Sequence, residues 1–130
     1  LLSEASVVSM HAAVTPETAG LMGAEQFARM PEGSVYVNSA RAGLHDLEAL
    51  TAALASGHLA AAALAHFEGE SLAIDHPLAS MSNVVLTPHI GGATYDTEAN
   101  HTALIAEGLA ALFRGETPAN LANPEVLHRG

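Results

Sequence analysis

The sequence predicts an α/β fold, a parallel β-sheet covered on both faces by helices. Four short apolar runs alternate with segments of helical periodicity, and within these runs apolar and polar residues do not strictly alternate. Such continuous apolar runs are typical of parallel strands joined by helical crossovers. The chain has 130 residues, of which 49% are hydrophobic, and this is enough for one domain with a single core.

The predicted strands are short and rich in β-branched or small residues, at residues 7–10, 34–38, 59–65 and 83–87. The third run, "LAAAALA", also has high helix propensity. We read it as a strand because it lies between a helix stop and the turn-like "EGES" and has the length of a strand.

Three helices are predicted, over residues 24–30, 47–56 and 95–114. Pro31 ends the first because proline cannot continue a helix. Asp46 is a suitable N-cap for the second, and Gly57 provides its C-terminal stop. The third is long and amphipathic, and the turn-rich residues 115–130 after it are expected to be extended.

Composition and charge argue against several classes of protein. The net charge is −10, with four Arg and no Lys, and the Arg are scattered, so neither nucleic acid nor an anionic membrane surface is an expected partner. Cys is absent, which excludes disulfides and fits a cytoplasmic protein. Without an initiator Met, and with a first segment that leads directly into a strand, the sequence is expected to begin within a longer protein.

Ionisable side chains follow each predicted strand, and parallel strands bind ligands at their carboxyl ends. Arg41 would bind a carboxylate or polarise a carbonyl. His89 would exchange a proton, and Glu70 would fix the tautomer of its ring and favour its charged form. These three side chains suit acid–base chemistry on an anionic carbonyl compound.

Other interpretations remain open for these residues. His89 could be an ordinary loop residue, and Arg41 could cap a carbonyl or pair with Asp46. His66, Glu68 and Glu70 alternate and could form a metal site with Asp75, His76 or His89, but their spacing matches no specific motif, and no metal ligand is predicted. The remaining helix and loop histidines are interpreted as surface residues, namely His45, His58, His76, His101 and His128, and Arg29, Arg114 and Arg129 as solvated.

Four stretches resemble one known family. They are "VVSMHAAVTPETAGLMG", "VNSARAGLHDLEAL", "HFEGESL" and "DHPLASMSNVVLTPHIGGAT". The second is similar to N-x-x-R-G-G-L, the third to D-V-F-E-x-E-P-L, and the last to H-P-L followed by N-V-x-x-T-P-H-I-G-G-x-T. In this order they resemble the NAD-binding domain of the D-isomer-specific 2-hydroxyacid dehydrogenases, the phosphoglycerate dehydrogenase-like group.

The resemblance implies an oxidoreductase that moves a hydride between NAD, with NADP not excluded, and a small D-2-hydroxy or 2-oxo acid. Arg41 would bind substrate, Glu70 would partner the histidine, and His89 would be the general acid/base. It also implies a likeness to part of a Rossmann-like, doubly wound sheet, over residues 1–114, with 115–130 leading to a substrate domain, and a homodimer. The implied cofactor contacts are Ala12, Ser39, Ala40, Arg41, Ala65, His89, Ile90, Gly91 and Gly92.

The chain departs from the family pattern in ways that bear on function. Ala65 stands where the family has an aspartate that contacts the nicotinamide, Ser71 replaces a proline, and the phosphate-binding G-x-G-x-x-G turn is absent. We therefore expect the 130-residue chain alone to be inactive and to bind NAD poorly. The alternatives are a decayed structural or interaction domain and, with less support, a metal-dependent hydrolase. Neither the acid nor the choice between NAD and NADP can be read from the sequence.

Overall fold

The structure, a computed structural model, describes residues 1–128, which form two compact units, Leu1–Gly91 and a second unit that begins at Gly92. The first unit contains the sheet and two helices, and the second contains one long helix and the tail. Arg129 and the side chain of His128 lie outside the described part of the chain. None of the described helices is both long and apolar enough to span a membrane.

The first unit is built on a four-stranded parallel sheet with the order β1-β2-β3-β4. Its register aligns Met10 with Asn38, Asn38 with Leu64 and Leu64 with Leu86, so the carboxyl ends of all strands meet at one edge. The prediction of four strands is confirmed to within one residue at each end. The strands are β1 (Val7–Met10), β2 (Ser34–Asn38), β3 (Leu59–Leu64) and β4 (Val84–Leu86).

Three helices accompany the sheet, as predicted. They are α1 (Ala24–Ala28), α2 (Leu47–Ala55) and, in the second unit, α3 (Tyr95–Phe113). Helix α2 begins at the predicted cap, because Oδ1 of Asp46 accepts a hydrogen bond from the amide of Ala49 at 3.0 Å. The tail after α3, expected to be extended, contains one 3₁₀ turn at Pro124–His128.

Helix α1 ends two residues earlier than predicted. Arg29 is its C-cap, and the amide of Met30 donates to the carbonyl of Phe27 at 3.1 Å, so the backbone has left the helix before Pro31. The residue that precedes a proline is disfavoured in the helical conformation. Pro31 therefore ends α1 before the residue that directly precedes it.

The core lies mainly on one face of the sheet. Tyr36 and Leu64 are almost fully buried on this face, and Phe27 of α1 meets the ring of Tyr36 edge-on with centroids 5.1 Å apart. On the opposite face Val7 and Val85 are 58% and 62% exposed. The two faces of the sheet are thus unequally covered within the described residues, although the sequence predicted cover on both.

Candidate functional site at the carboxyl edge of the sheet

The last residue of β2 holds the loop that carries Arg41. Oδ1 of Asn38 accepts hydrogen bonds from the amides of Ala40 and Arg41 at 3.0 and 3.2 Å. Its Nδ2 donates to the carbonyl of Arg41 and to Nδ1 of His45, both at 2.8 Å. Asn38 is itself buried, so one amide side chain satisfies both backbone groups of Arg41 and fixes the start of this loop.

His45 is buried, and its interpretation as a surface residue is wrong. It is 8% exposed, and its ring meets that of Tyr36 edge-on at 5.6 Å between centroids. Burial lowers the pKa of the His45 ring, while the charge of Asp46 acts in the opposite direction. Because Nδ1 accepts from Asn38, the ring is neutral and carries its proton on Nε2. His45 therefore helps to fix the side chain of Asn38, which in turn holds the backbone of Arg41.

A strained 3₁₀ turn after β3 presents Glu70. The turn spans Glu68–Glu70, and Gly69 and Glu70 have φ angles of +67° and +61°. Glu70 is the one non-glycine residue with a positive φ in the described chain. This conformation costs a residue with a Cβ about 1 kcal/mol or more. The amide of Glu70 is held by the carbonyl of Phe67 at 3.0 Å.

His89 follows β4 and contacts this glutamate. Its Nδ1 lies 3.3 Å from both carboxylate oxygens of Glu70. The side chains are 41% and 68% exposed, respectively, so the pair is open to solvent on one side. A carboxylate on Nδ1 orients the imidazole and leaves Nε2 as the nitrogen that can exchange a proton with a ligand.

His66 packs against the ring of His89, with which the sequence grouped it only as a possible metal ligand. The two ring centroids are 3.9 Å apart, and His66 is 7% exposed. Burial lowers the pKa of His66, with smaller contributions in the same direction from the nearby charges of His89 and Arg41. His66 is thus a buried and mostly neutral neighbour of the exposed pair.

Two cavities open at this edge of the sheet, and Arg41 lines both. The first, of about 410 Å³, is also lined by His66 and Glu70, and the second, of about 540 Å³, by Ala12 and Ala40. The guanidinium of Arg41 donates to the carbonyl of Ala40 at 2.6 Å. Two of the three predicted catalytic side chains therefore line one cavity, and the third, that of His89, contacts Glu70.

The other predicted cofactor contacts are distributed unevenly. The amide of Ala65 donates to the carbonyl of Asn38 at 3.1 Å, which places Ala65 directly beyond β3 at the same edge. Ser39 and Ile90 are exposed, and the Cα of Gly91 has open space where a side chain would be. Gly92 belongs to the second unit.

The fold and the groups at the carboxyl edge of the sheet indicate the class of protein to which the chain belongs. A parallel sheet with helical crossovers and ionisable groups beyond its strand ends is the arrangement of α/β proteins that bind a ligand at that edge. The model of the D-isomer-specific 2-hydroxyacid dehydrogenase NAD-binding domain matches residues 1–91, so the chain belongs to this family. The predicted family, its NAD cofactor and the fold class are thereby confirmed.

Individual relatives agree with this assignment. The chain is 43% identical over 126 residues to glyoxylate/hydroxypyruvate reductase B of Escherichia fergusonii. This alignment covers 97% of the chain and 39% of the relative. Among solved structures, the TT0316 protein of Thermus thermophilus is 42% identical with a TM-score of 0.86, over 92% of the chain and 38% of that protein.

A D-isomer-specific 2-hydroxyacid dehydrogenase from Xanthobacter autotrophicus, solved with NADPH and MES, is 38% identical with a TM-score of 0.77. That match covers 96% of the chain and 40% of the enzyme. The chain thus spans about 39% of the length of the curated relative that it matches.

Proposed function

We propose that the complete protein is an NAD(P)-dependent oxidoreductase that moves a hydride between the nicotinamide cofactor and C2 of a small D-2-hydroxy or 2-oxo acid. The contact of His89 with Glu70, beside a cavity lined by Arg41, is the observation that carries this proposal. Three side chains from three loops provide an anion-binding group, a proton carrier and a group that orients the carrier.

In this proposal His89 takes the hydroxyl proton when the acid is oxidised and returns it to the carbonyl oxygen on reduction. Glu70 accepts a hydrogen bond from the Nδ1–H group of His89 and, as a carboxylate, stabilises the charged ring that forms during oxidation. Arg41 binds the carboxylate of the substrate, and Asn38 fixes the backbone from which this side chain extends. All three would act at the carboxyl edge of the sheet.

The residues at this edge fit a flat nicotinamide ring. Ala12, Ala13 and Ala40 make up half of the lining of the second cavity, so a ring could approach the backbone closely on that side. Bound cofactor would supply hydride transfer chemistry that no side chain of the chain has. We propose cofactor contacts at Ala12, from Ser39 to Arg41, at Ala65, and from His89 to Gly92.

Several features of the complete protein belong to the same proposal. Glyoxylate and hydroxypyruvate are the first substrates to test, since the relative from Escherichia fergusonii is named for them. We further infer a cytoplasmic homodimer. We also infer that it binds neither nucleic acid nor an anionic membrane surface, and the net charge of −10 supports only this second inference. In this protein residues 1–114 would form part of the NAD-binding domain, and 115–130 would lead to the substrate domain.

The test uses the complete open reading frame and follows the oxidation of NADH and NADPH with glyoxylate and with hydroxypyruvate. We expect His89→Ala to lower kcat by about 100-fold or more, because it removes the general acid/base. His101→Ala, an exposed histidine of α3, is the matched control and should keep wild-type turnover. Wild-type turnover in His89→Ala on every acid that the protein reduces would refute the assignment.

Arg41→Lys separates substrate binding from the proton transfer. A single ammonium replaces a bidentate guanidinium, so KM for the acid should rise about tenfold or more while kcat changes less. An unchanged KM in this variant would contradict the role of Arg41.

A further inference from the structure

The carboxyl edge of the sheet brings together a set of metal-ligating atoms. One ligand atom each from His66, Glu70 and His89 lies within 4.8 Å of the other two. His66 and Glu70 lie in the loop after β3, and His89 lies in the loop after β4, so two loops contribute the three residues. Neither the proposed acid–base pair nor the cofactor contacts assign a role to the side chain of His66.

The donor set suits a borderline transition-metal cation. Two imidazoles and one carboxylate are preferred ligands of Zn²⁺ and Co²⁺, whereas Cu⁺ favours sulfur ligands and Mg²⁺ an all-oxygen set. Bonds of about 2.05 Å in tetrahedral geometry place neighbouring ligand atoms about 3.3 Å apart. The separation of Nδ1 of His89 from the oxygens of Glu70 is 3.3 Å.

The burial of the three side chains also fits closure around an ion. His66 is buried, so its surroundings leave it little room to change rotamer. Glu70 and His89 are exposed enough to rotate and to shorten the widest separation in the cluster. The fourth coordination position would face the cavity that Arg41 and Glu70 line.

We propose that His66, Glu70 and His89 form a binding site for a divalent transition-metal cation of the Zn²⁺ class. The charge of Arg41 lies near this cluster and opposes binding, whereas Glu70 and the neighbouring Glu68 favour it. We therefore expect a Kd for Zn²⁺ of about 1 μM or weaker, well above that of a permanent structural zinc site.

A consequence for catalysis follows, and this part alone rests on the proposed function. A cation on His89 would occupy a lone pair of the ring and the carboxylate that orients it. Bound metal would therefore inhibit proton transfer instead of assisting it, and dehydrogenase activity would fall as the site fills with the cation.

The test measures metal binding to the 130-residue chain and needs no catalysis. Calorimetry with Zn²⁺ should give one site per chain, and Co²⁺ should develop the intense visible absorption of a tetrahedral or five-coordinate complex. His66→Val and Glu70→Gln should each weaken Zn²⁺ binding by about tenfold or more and reduce the Co²⁺ absorption. His101→Ala, which removes an exposed histidine outside the cluster, should leave both measurements unchanged.

The two cluster variants protect the test against a folding defect. His66→Val introduces valine, the residue that the D-V-F-E pattern of the family has at this position. Glu70→Gln changes an exposed side chain. At least one of the two variants should therefore retain the wild-type circular dichroism and unfolding transition. Equal Zn²⁺ affinity and Co²⁺ absorption in the wild type and in a folded cluster variant would overturn the proposal, as would the absence of binding in the wild type. If the cluster variants lose Zn²⁺ binding as expected but the complete protein has no dehydrogenase activity, only the proposed function is refuted.

Discussion

Asn38 is the residue on which the geometry near Arg41 depends most. Its four hydrogen bonds connect the end of β2 with both backbone groups of Arg41 and with His45. An amide is suited to this position because it offers two acceptor sites and two donors on one short side chain. The sequence placed Asn38 at the strand end but gave it no role. The N-x-x-R spacing was the available signal.

The burial of His45 has a consequence for the pH dependence of stability. The folded-state pKa of His45 lies below its ordinary value of 6.5, so between these two pH values the unfolded chain binds more protons. The contribution of His45 to the free energy of unfolding is therefore complete above about pH 6.5 and decreases as the pH falls towards the folded-state pKa. His66, whose pKa is also lowered, contributes with the same sign.

We expect His45→Gln to lose less stability than the wild type between about pH 8 and pH 5. Urea denaturation at both pH values measures the difference, and His101→Gln is the control that should retain the wild-type pH dependence. A pH dependence in His45→Gln equal to that of the wild type would show that the buried ring does not titrate as described.

The sequence did not reveal this burial because the partners of His45 belong to a different element, and no local helix or strand pattern places them against its ring. Tyr36 and Asn38 lie on β2, and they meet the ring only after the Arg41 loop has folded back over the strand end. His45 directly precedes the N-cap residue Asp46, and a side chain at the position before an N-cap is ordinarily expected to be solvated.

At the scale of elements, the strands and α2 were predictable because their signals are local. Apolar runs of strand length, the Asp46 cap and the Gly57 stop, where φ is +78°, each act within a few residues. The turn at Glu68–Glu70 is different. Its sequence, "EGE", indicates a turn but does not indicate that the glutamate after the glycine also adopts a positive φ.

This turn allows a test of backbone strain. Glu70→Gly removes the Cβ that disfavours φ of +61°, and it loses only an exposed ion pair that contributes little to stability. Glu68→Gly is the matched control, because Glu68 has a negative φ and the change only adds flexibility to the unfolded chain. We expect the free energy of unfolding of Glu70→Gly to exceed that of Glu68→Gly by about 1 kcal/mol. Equal values from urea denaturation would mean that the turn is unstrained.

At the scale of the whole molecule, the chain matches an NAD-binding domain over residues 1–91 but has no phosphate-binding glycine turn. β1 pairs only with β2 among the described residues, and Val7 on this edge strand is 58% exposed. A dinucleotide site needs backbone amides that hold the pyrophosphate, and the G-x-G-x-x-G pattern that provides them is not present in these 130 residues.

We therefore expect calorimetry of NAD with the 130-residue chain to show no binding at micromolar concentrations. The complete reading frame, measured in the same buffer, is the positive control. A micromolar Kd for the 130-residue chain would show that the carboxyl edge alone holds the cofactor and would contradict this expectation.

The register of the sheet also determines where the chain can be engineered. Met10, Asn38, Leu64 and Leu86 are aligned across four strands, and this alignment spaces the loops that carry the reactive groups. Deleting one residue within β2 would displace Asn38 by about 3.3 Å along the strand and turn it to the other face. The exposed turn at Glu32 precedes β2 at the far edge of the sheet. A peptide tag or a fluorophore attached there would leave the loop spacing intact, which makes Glu32 a suitable labelling position.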